Sequence, residues 1–161
     1  MPYIMILLSL WAGDSWIKHQ IDKDDFIGRK PLADGKIIVK RYHNRGAMMN
    51  IGDNHQYFIA LLSLVFSAFV TGVFAATLGR KGKGILKIGL ALILGGAYSN
   101  TYDRLRRKYV VDYFSFHLIN GENSSRLLGK LNDRFSSIVF NLGDFGIIIG
   151  AMLLVLHSAG D

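Results

Sequence analysis

The chain has 161 residues, half of them hydrophobic, with no cysteine and a formal charge of +7. That length suits one domain, and the lack of cysteine excludes disulfides and thiolate metal sites. On a soluble protein the charge would suggest nucleic acid. Here the basic residues flank long apolar runs, so membrane phospholipids are the expected partner and nucleic acid is not.

The first apolar run, residues 2–18, is read as a membrane span, because it lacks the basic n-region and small-x-small site of a cleavable signal peptide. It closes on Asp14 and Lys18, which are four apart and share a helix face; they are read as a structural ion pair at a helix end. Residues 19–55 are polar. Within them "GKIIVKRYHN" alternates enough to form a strand, with "NRGA" as its turn. Residues 56–78 carry no charge and are long enough to cross a bilayer. After the turn "GRKGKG", residues 85–102 form a third span, with Lys87 near one end where it can snorkel.

That span ends at Asn100, Asp103 and Arg104, and residues 103–137 are polar again. "YVVDYF" reads as a strand carrying Asp112, and "GENSS" as a loop. Leu127, Leu128, Leu131 and Phe135 then make the apolar face of a short amphipathic helix, with Arg126, Lys130 and Arg134 opposite, suited to the membrane interface. The fourth span, 138–160, holds Asn141 and Asp144 near its start. Counted from Ile138, Asp144 would lie roughly 9 Å inside. A carboxylate at that depth must face the bundle interior or a wet cavity. Gly146 and Gly150 in "GIIIG" fit close helix packing.

Four spans of alternating direction bring Asp14, Lys18, Asn44, Asn100, Asp103, Asn141 and Asp144 to one side of the membrane. Asn100 with Asp103, and Asn141 with Asp144, are spaced by three and share helix faces. Asp103 and Arg104 could be only a solvated stop after a span. Asp112 and Asp144 resist a structural reading best, since neither has a cation within helical reach. The five histidines are scattered without a metal-binding spacing, so no metal site is expected. A proton conductor would line its whole path with such groups, whereas this chain gathers them at one end.

The blocks "DSWIK", "NRGA", "GGAYSNTYDR", "YVVDYF" and "FNLGD", in this order and placement, resemble the lipoprotein signal peptidases (signal peptidase II) over almost the whole chain. The resemblance implies an α-helical integral membrane protein with four transmembrane helices, a small extracytoplasmic β-cradle and an interfacial amphipathic helix. It implies an aspartyl endopeptidase that cuts diacylglyceryl-modified bacterial prolipoproteins before the lipid-bearing cysteine. A dead homologue is the alternative, against which the intact Asp112 and Asp144 argue. Those two would be the catalytic dyad, and Asp103 with Arg104 would order the loop before Asp112. Asn44, Gly46 and Ala47 would line the substrate groove, while Asn100 and Asn141 would keep the site polar. No cofactor is implied. The expected setting is the bacterial cytoplasmic membrane, as a multi-pass monomer with segments 19–55 and 103–137 outside. The chain departs from the family in three ways. Gly143 stands where alanine is usual and is expected to loosen packing slightly. The stretch between Asp112 and Asp144 is longer, and basic residues crowd the outer loops, against the positive-inside rule.

Overall fold

Small residues determine how the helices meet. The computed structural model describes residues 1–23, 30–33, 35–46, 55–116 and 136–160. Its helices are α1 (Pro2–Lys23), α2 (Gln56–Leu78), α3 (Gly84–Arg106) and α4 (Leu142–Gly160). Strands β1 (Lys30–Leu32), β2 (Ile37–Asn44) and β3 (Val110–Phe116) form one antiparallel sheet in that order. Central α3 packs against α1, α2 and α4. Its glycines permit this: an added Cβ at Gly95 would lie 2.9 Å from Leu7 O on α1, and one at Gly89 would lie 2.9 Å from Gly150 O on α4. Gly96 lies backbone to backbone against Gly143, as in small-residue membrane helix pairs. We expect Gly96→Ala to cost about 3 kcal/mol, since the methyl would push into the Gly143 carbonyl. Thermal unfolding in detergent would show it as a lowered Tm; an unchanged Tm would mean that the helices can separate freely.

Two helices, α2 and residues Leu142–Ala159 of α4, are long and apolar enough to cross a membrane. They point Phe58, Leu61, Phe69, Ile149, Met152 and Val155 outward, a surface that water would penalise. α1 and α3 have similar lengths but carry Asp14, Lys18, Lys87, Asn100 and Asp103, all buried.

Several expected boundaries shift. α1 runs five residues past Lys18, so the Asp14–Lys18 pair lies within the helix and not at its end. The fourth helix starts at Leu142 and not at Ile138, because the backbone of Phe140 pairs with Phe114 of β3 (Phe114 N to Phe140 O 2.8 Å, Phe140 N to Phe114 O 2.7 Å). Asp144 therefore sits in the first helical turn. Lys87 is buried, and its ammonium reaches the turn before α3, where it donates to Arg80 O and lies 5.5 Å from the Tyr3 ring centre. A further strand, β1, pairs Lys30 with Val39 and Leu32 with Ile37. The amphipathic helix expected around Leu131 lies outside the described residues, as does Ala47.

In the sheet, Tyr42 faces Asp112 and Asn44 faces Val110, beyond an irregularity between Val39 and Tyr42. Such a bulge re-aims the side chains next to it. β3 thus delivers Asp112 to the start of α4.

Candidate active site

Asn141 and Asp144 cap α4 reciprocally. Asn141 Oδ1 accepts from Asp144 N at 2.9 Å, and Asp144 Oδ2 accepts from Asn141 N at 3.0 Å. This capping box satisfies backbone donors that the helix leaves open. It also fixes the Asn141 amide, whose Nδ2 must then point away from the helix. That nitrogen donates to Asp112 Oδ1 at 2.7 Å and to Asn100 Oδ1 at 3.1 Å. The other oxygen of Asp144, Oδ1, accepts from Asn100 Nδ2 at 2.9 Å. Asn44 Nδ2 donates to Asp112 Oδ2 at 3.1 Å, and its orientation is set by Gly46 N donating to Asn44 Oδ1 at 3.2 Å. Asp112 and Asp144 are therefore joined through one asparagine and flank one cavity of about 250 Å³. Asn44, Asn100, Arg104, Phe140 and the aliphatic Val110, Ile138, Val139, Ile147 and Ile148 complete its lining.

Burial first, and the charge of Asp144 second, push the Asp112 carboxyl up to about 7, against the opposing bonds from Asn141 and Asn44. Asp112 is 2% exposed, so desolvation of its charged form is severe.

Behind the cavity lies a buried charge cluster. Lys18 Nζ is 2.8 Å from Asp14 Oδ2 and 3.4 Å from Asp103 Oδ2, and it donates to Ser99 Oγ at 3.0 Å and Asn100 Oδ1 at 2.7 Å. Asp14 and Lys18 are essentially unexposed, at 0% and 1%. An ammonium can only donate, so Lys18 holds the Asn100 oxygen toward itself and the Asn100 amide nitrogen toward Asp144. Ser99 and Tyr113 also donate to Asp14, at 2.6 and 2.9 Å, and Leu142 N donates to the Tyr113 hydroxyl at 3.0 Å. No local pattern marks Ser99 or Tyr113, although each adjoins a residue singled out from the sequence.

Asp103 is not a solvated stop. It is buried, accepts from Val111 N at 3.4 Å, and meets Arg107 Nε at 3.4 Å across the turn that leads into β3. Arg104 reaches 3.5 Å from Gly46 O, the outer limit of a hydrogen bond, and its buried Nε has no partner among the described residues. Gly143 does not loosen the packing. A Cβ there would lie 2.9 Å from Asp14 Oδ2, 3.0 Å from Asn141 Oδ1 and 3.1 Å from Gly96 Cα, so its absence lets α4 settle onto the charge cluster.

A family model described as signal peptidase (SPase) II matches residues 6–159. Two solved structures have the same fold, both bacterial membrane enzymes determined by the in meso method. The one at 2.3 Å resolution superposes with a TM-score of 0.76 at 16% identity, covering 99% of this chain and 88% of its own. The one at 1.9 Å gives 0.75 at 18% identity, covering 99% and 94%.

Proposed function

The chain belongs to the signal peptidase (SPase) II family, and from that premise we propose that it is an aspartyl endopeptidase acting on diacylglyceryl-modified bacterial prolipoproteins. The observation that carries this reading is the convergence of Asp112 and Asp144 on one cavity, bridged by Asn141. Two carboxyls so placed cannot both ionise freely, and the pair shares one proton until Asp112 ionises near 7. The ionised partner takes a proton from a water, which attacks the scissile carbonyl. The protonated partner supports the oxyanion and then protonates the leaving amine. The guanidinium of Arg104, which lines the same cavity, carries N–H donors that suit a substrate carbonyl.

All four helices span the membrane in this reading, and α1 and α3 carry their polar residues inward, toward each other and α4. The site lies at the end shared by the last turns of α3 and the first turn of α4. We place that end at the extracytoplasmic face of the bacterial cytoplasmic membrane. The peptide enters the cavity while its diacylglyceryl group stays in lipid, and no cofactor takes part. Reporters fused after Lys83 and at the C-terminus should read cytoplasmic, and one inserted at Asn123 extracytoplasmic. The opposite pattern would place the site on the wrong side for this substrate.

The direct experiment offers purified protein a lipidated precursor and its unlipidated counterpart. Cleavage of the first alone, with the new N-terminus at the lipid-bearing cysteine, is expected. Equal cleavage of both would reject the substrate, and cleavage of neither would reject the activity.

A further inference from the structure

On a different face of α3 from the catalytic cavity, a second cleft of about 570 Å³ lies between α1 and α2. Tyr98, Tyr102 and Leu105 of α3 form its floor, with Trp11 of α1 and Leu64 and Ala68 of α2 as walls. Four of its five hydroxyls are matched in pairs, Ser67 with Thr101 at 3.0 Å and Thr71 with Tyr98 at 2.6 Å, and Tyr102 carries the fifth. What remains for a ligand is an apolar slot. The α2 wall continues upward through Leu61 to Tyr57, at helical spacings of three and four. From Thr71 to Tyr57 it rises about 21 Å, somewhat more than the roughly 15 Å of hydrocarbon in one leaflet.

The mouth of this slot carries a cation held in an uncommon backbone conformation. Lys108 has φ 68°, in the left-handed region that non-glycine residues seldom occupy. Its Nζ donates to the carbonyl of Leu105, itself a floor residue, at 3.0 Å, and lies 5.0 Å from the ring centre of Tyr57. Lys108 is exposed, and so is the neighbouring Arg106. An ammonium has three donors; the Leu105 carbonyl takes one.

The geometry points to a binding site for an anionic phospholipid of the leaflet on the catalytic side, with one acyl chain in the slot and the headgroup phosphate at Lys108. An apolar slot of leaflet depth selects an acyl chain, and the fixed positive charge at its mouth selects the headgroup. A neutral lipid would match only the slot.

Trp11 reports on this cleft, and the chain has only two tryptophans. The test uses the full-length Trp16→Phe protein in phosphatidylcholine vesicles, so that Trp11 is the sole indole. Dibrominated phosphatidylglycerol or dibrominated phosphatidylcholine is then titrated in as quencher. Half-maximal quenching is expected at a several-fold lower mole fraction of the anionic lipid. Lys108→Gln should bring the two curves together, and Ala68→Phe, which fills the slot, should weaken quenching by both. Coincident curves in the parent, or a preference that survives Lys108→Gln, would overturn the proposal. So would quenching that tracks a monomer–dimer equilibrium instead of lipid composition, because the cleft would then be a seat for a second copy.

Discussion

Asp112→Asn and Asp144→Asn are each expected to lower kcat by roughly 10²–10⁴-fold, the usual worth of a positioned acid–base group. Each change keeps the side-chain shape but removes one member of the proposed proton-sharing pair. Neither is silent for the fold. The new amide nitrogen must face a donor, Asn100 Nδ2 or Asn141 N in the case of Asp144, and Asn44 or Asn141 Nδ2 in the case of Asp112. One mismatched buried donor costs about 1–3 kcal/mol. Both proteins should therefore fold with a lowered Tm and fail to cut a lipidated precursor. A folded variant of either kind with near-parent kcat would remove that carboxylate from the mechanism.

Lys18→Met should have the largest effect on stability. It leaves Asp14 and Asp103 buried, and Asp14 without a cation in reach among the described residues. Removing one partner of a buried ion pair costs about 3–5 kcal/mol, so little folded protein is expected. The double variant Asp14→Asn/Lys18→Met removes both charges, and much of the lost stability should return, as coupled partners in a mutant cycle require. Its activity should not return with it. Without the ammonium, the Asn100 oxygen is held by Asn141 Nδ2 alone among the described residues, and its amide's bond to Asp144 is less firmly enforced. A weakened hydrogen bond to a charged group is worth about 1.5–3 kcal/mol, which corresponds to roughly 10–100-fold in kcat. A single Lys18→Met variant as stable as the parent would show that the cluster is not a structural pair. A double variant with parent kcat would show that Asn100 needs no orienting.

The sequence made some of this visible and hid the rest for identifiable reasons. Helix spacing exposed Asp14 with Lys18 and Asn141 with Asp144, because those partners lie on one turn of one helix. It could not show that Lys18 also reaches Ser99, Asn100 and Asp103, since contacts between helices leave no periodic trace in a single chain. Hydropathy extended the fourth span back to Ile138 because residues 138–140 are apolar. The backbone pairing of Phe140 with Phe114 overrode that signal and moved Asp144 to the helix start. β1 leaves no mark in the sequence, because three residues containing Pro31 carry no alternating pattern. Size alone cannot show the role of Gly143, because two of its neighbours, Asp14 and Gly96, come from distant parts of the chain.

The central claim is that Asp112 and Asp144 share one proton during cleavage. It is tested most directly by the pH dependence of kcat on a lipidated precursor, measured in the parent and in Asn44→Ala. Asp112 is protonated below about 7 and ionised above it, so the parent rate should fall as pH rises through that value. Asn44 donates to Asp112 Oδ2 and favours its charged form. Removing that donor should raise the Asp112 pKa and carry the falling limb to higher pH. A parent rate that stays level from pH 6 to 9, or a limb that Asn44→Ala leaves in place, would contradict the shared proton and the role given to Asp112.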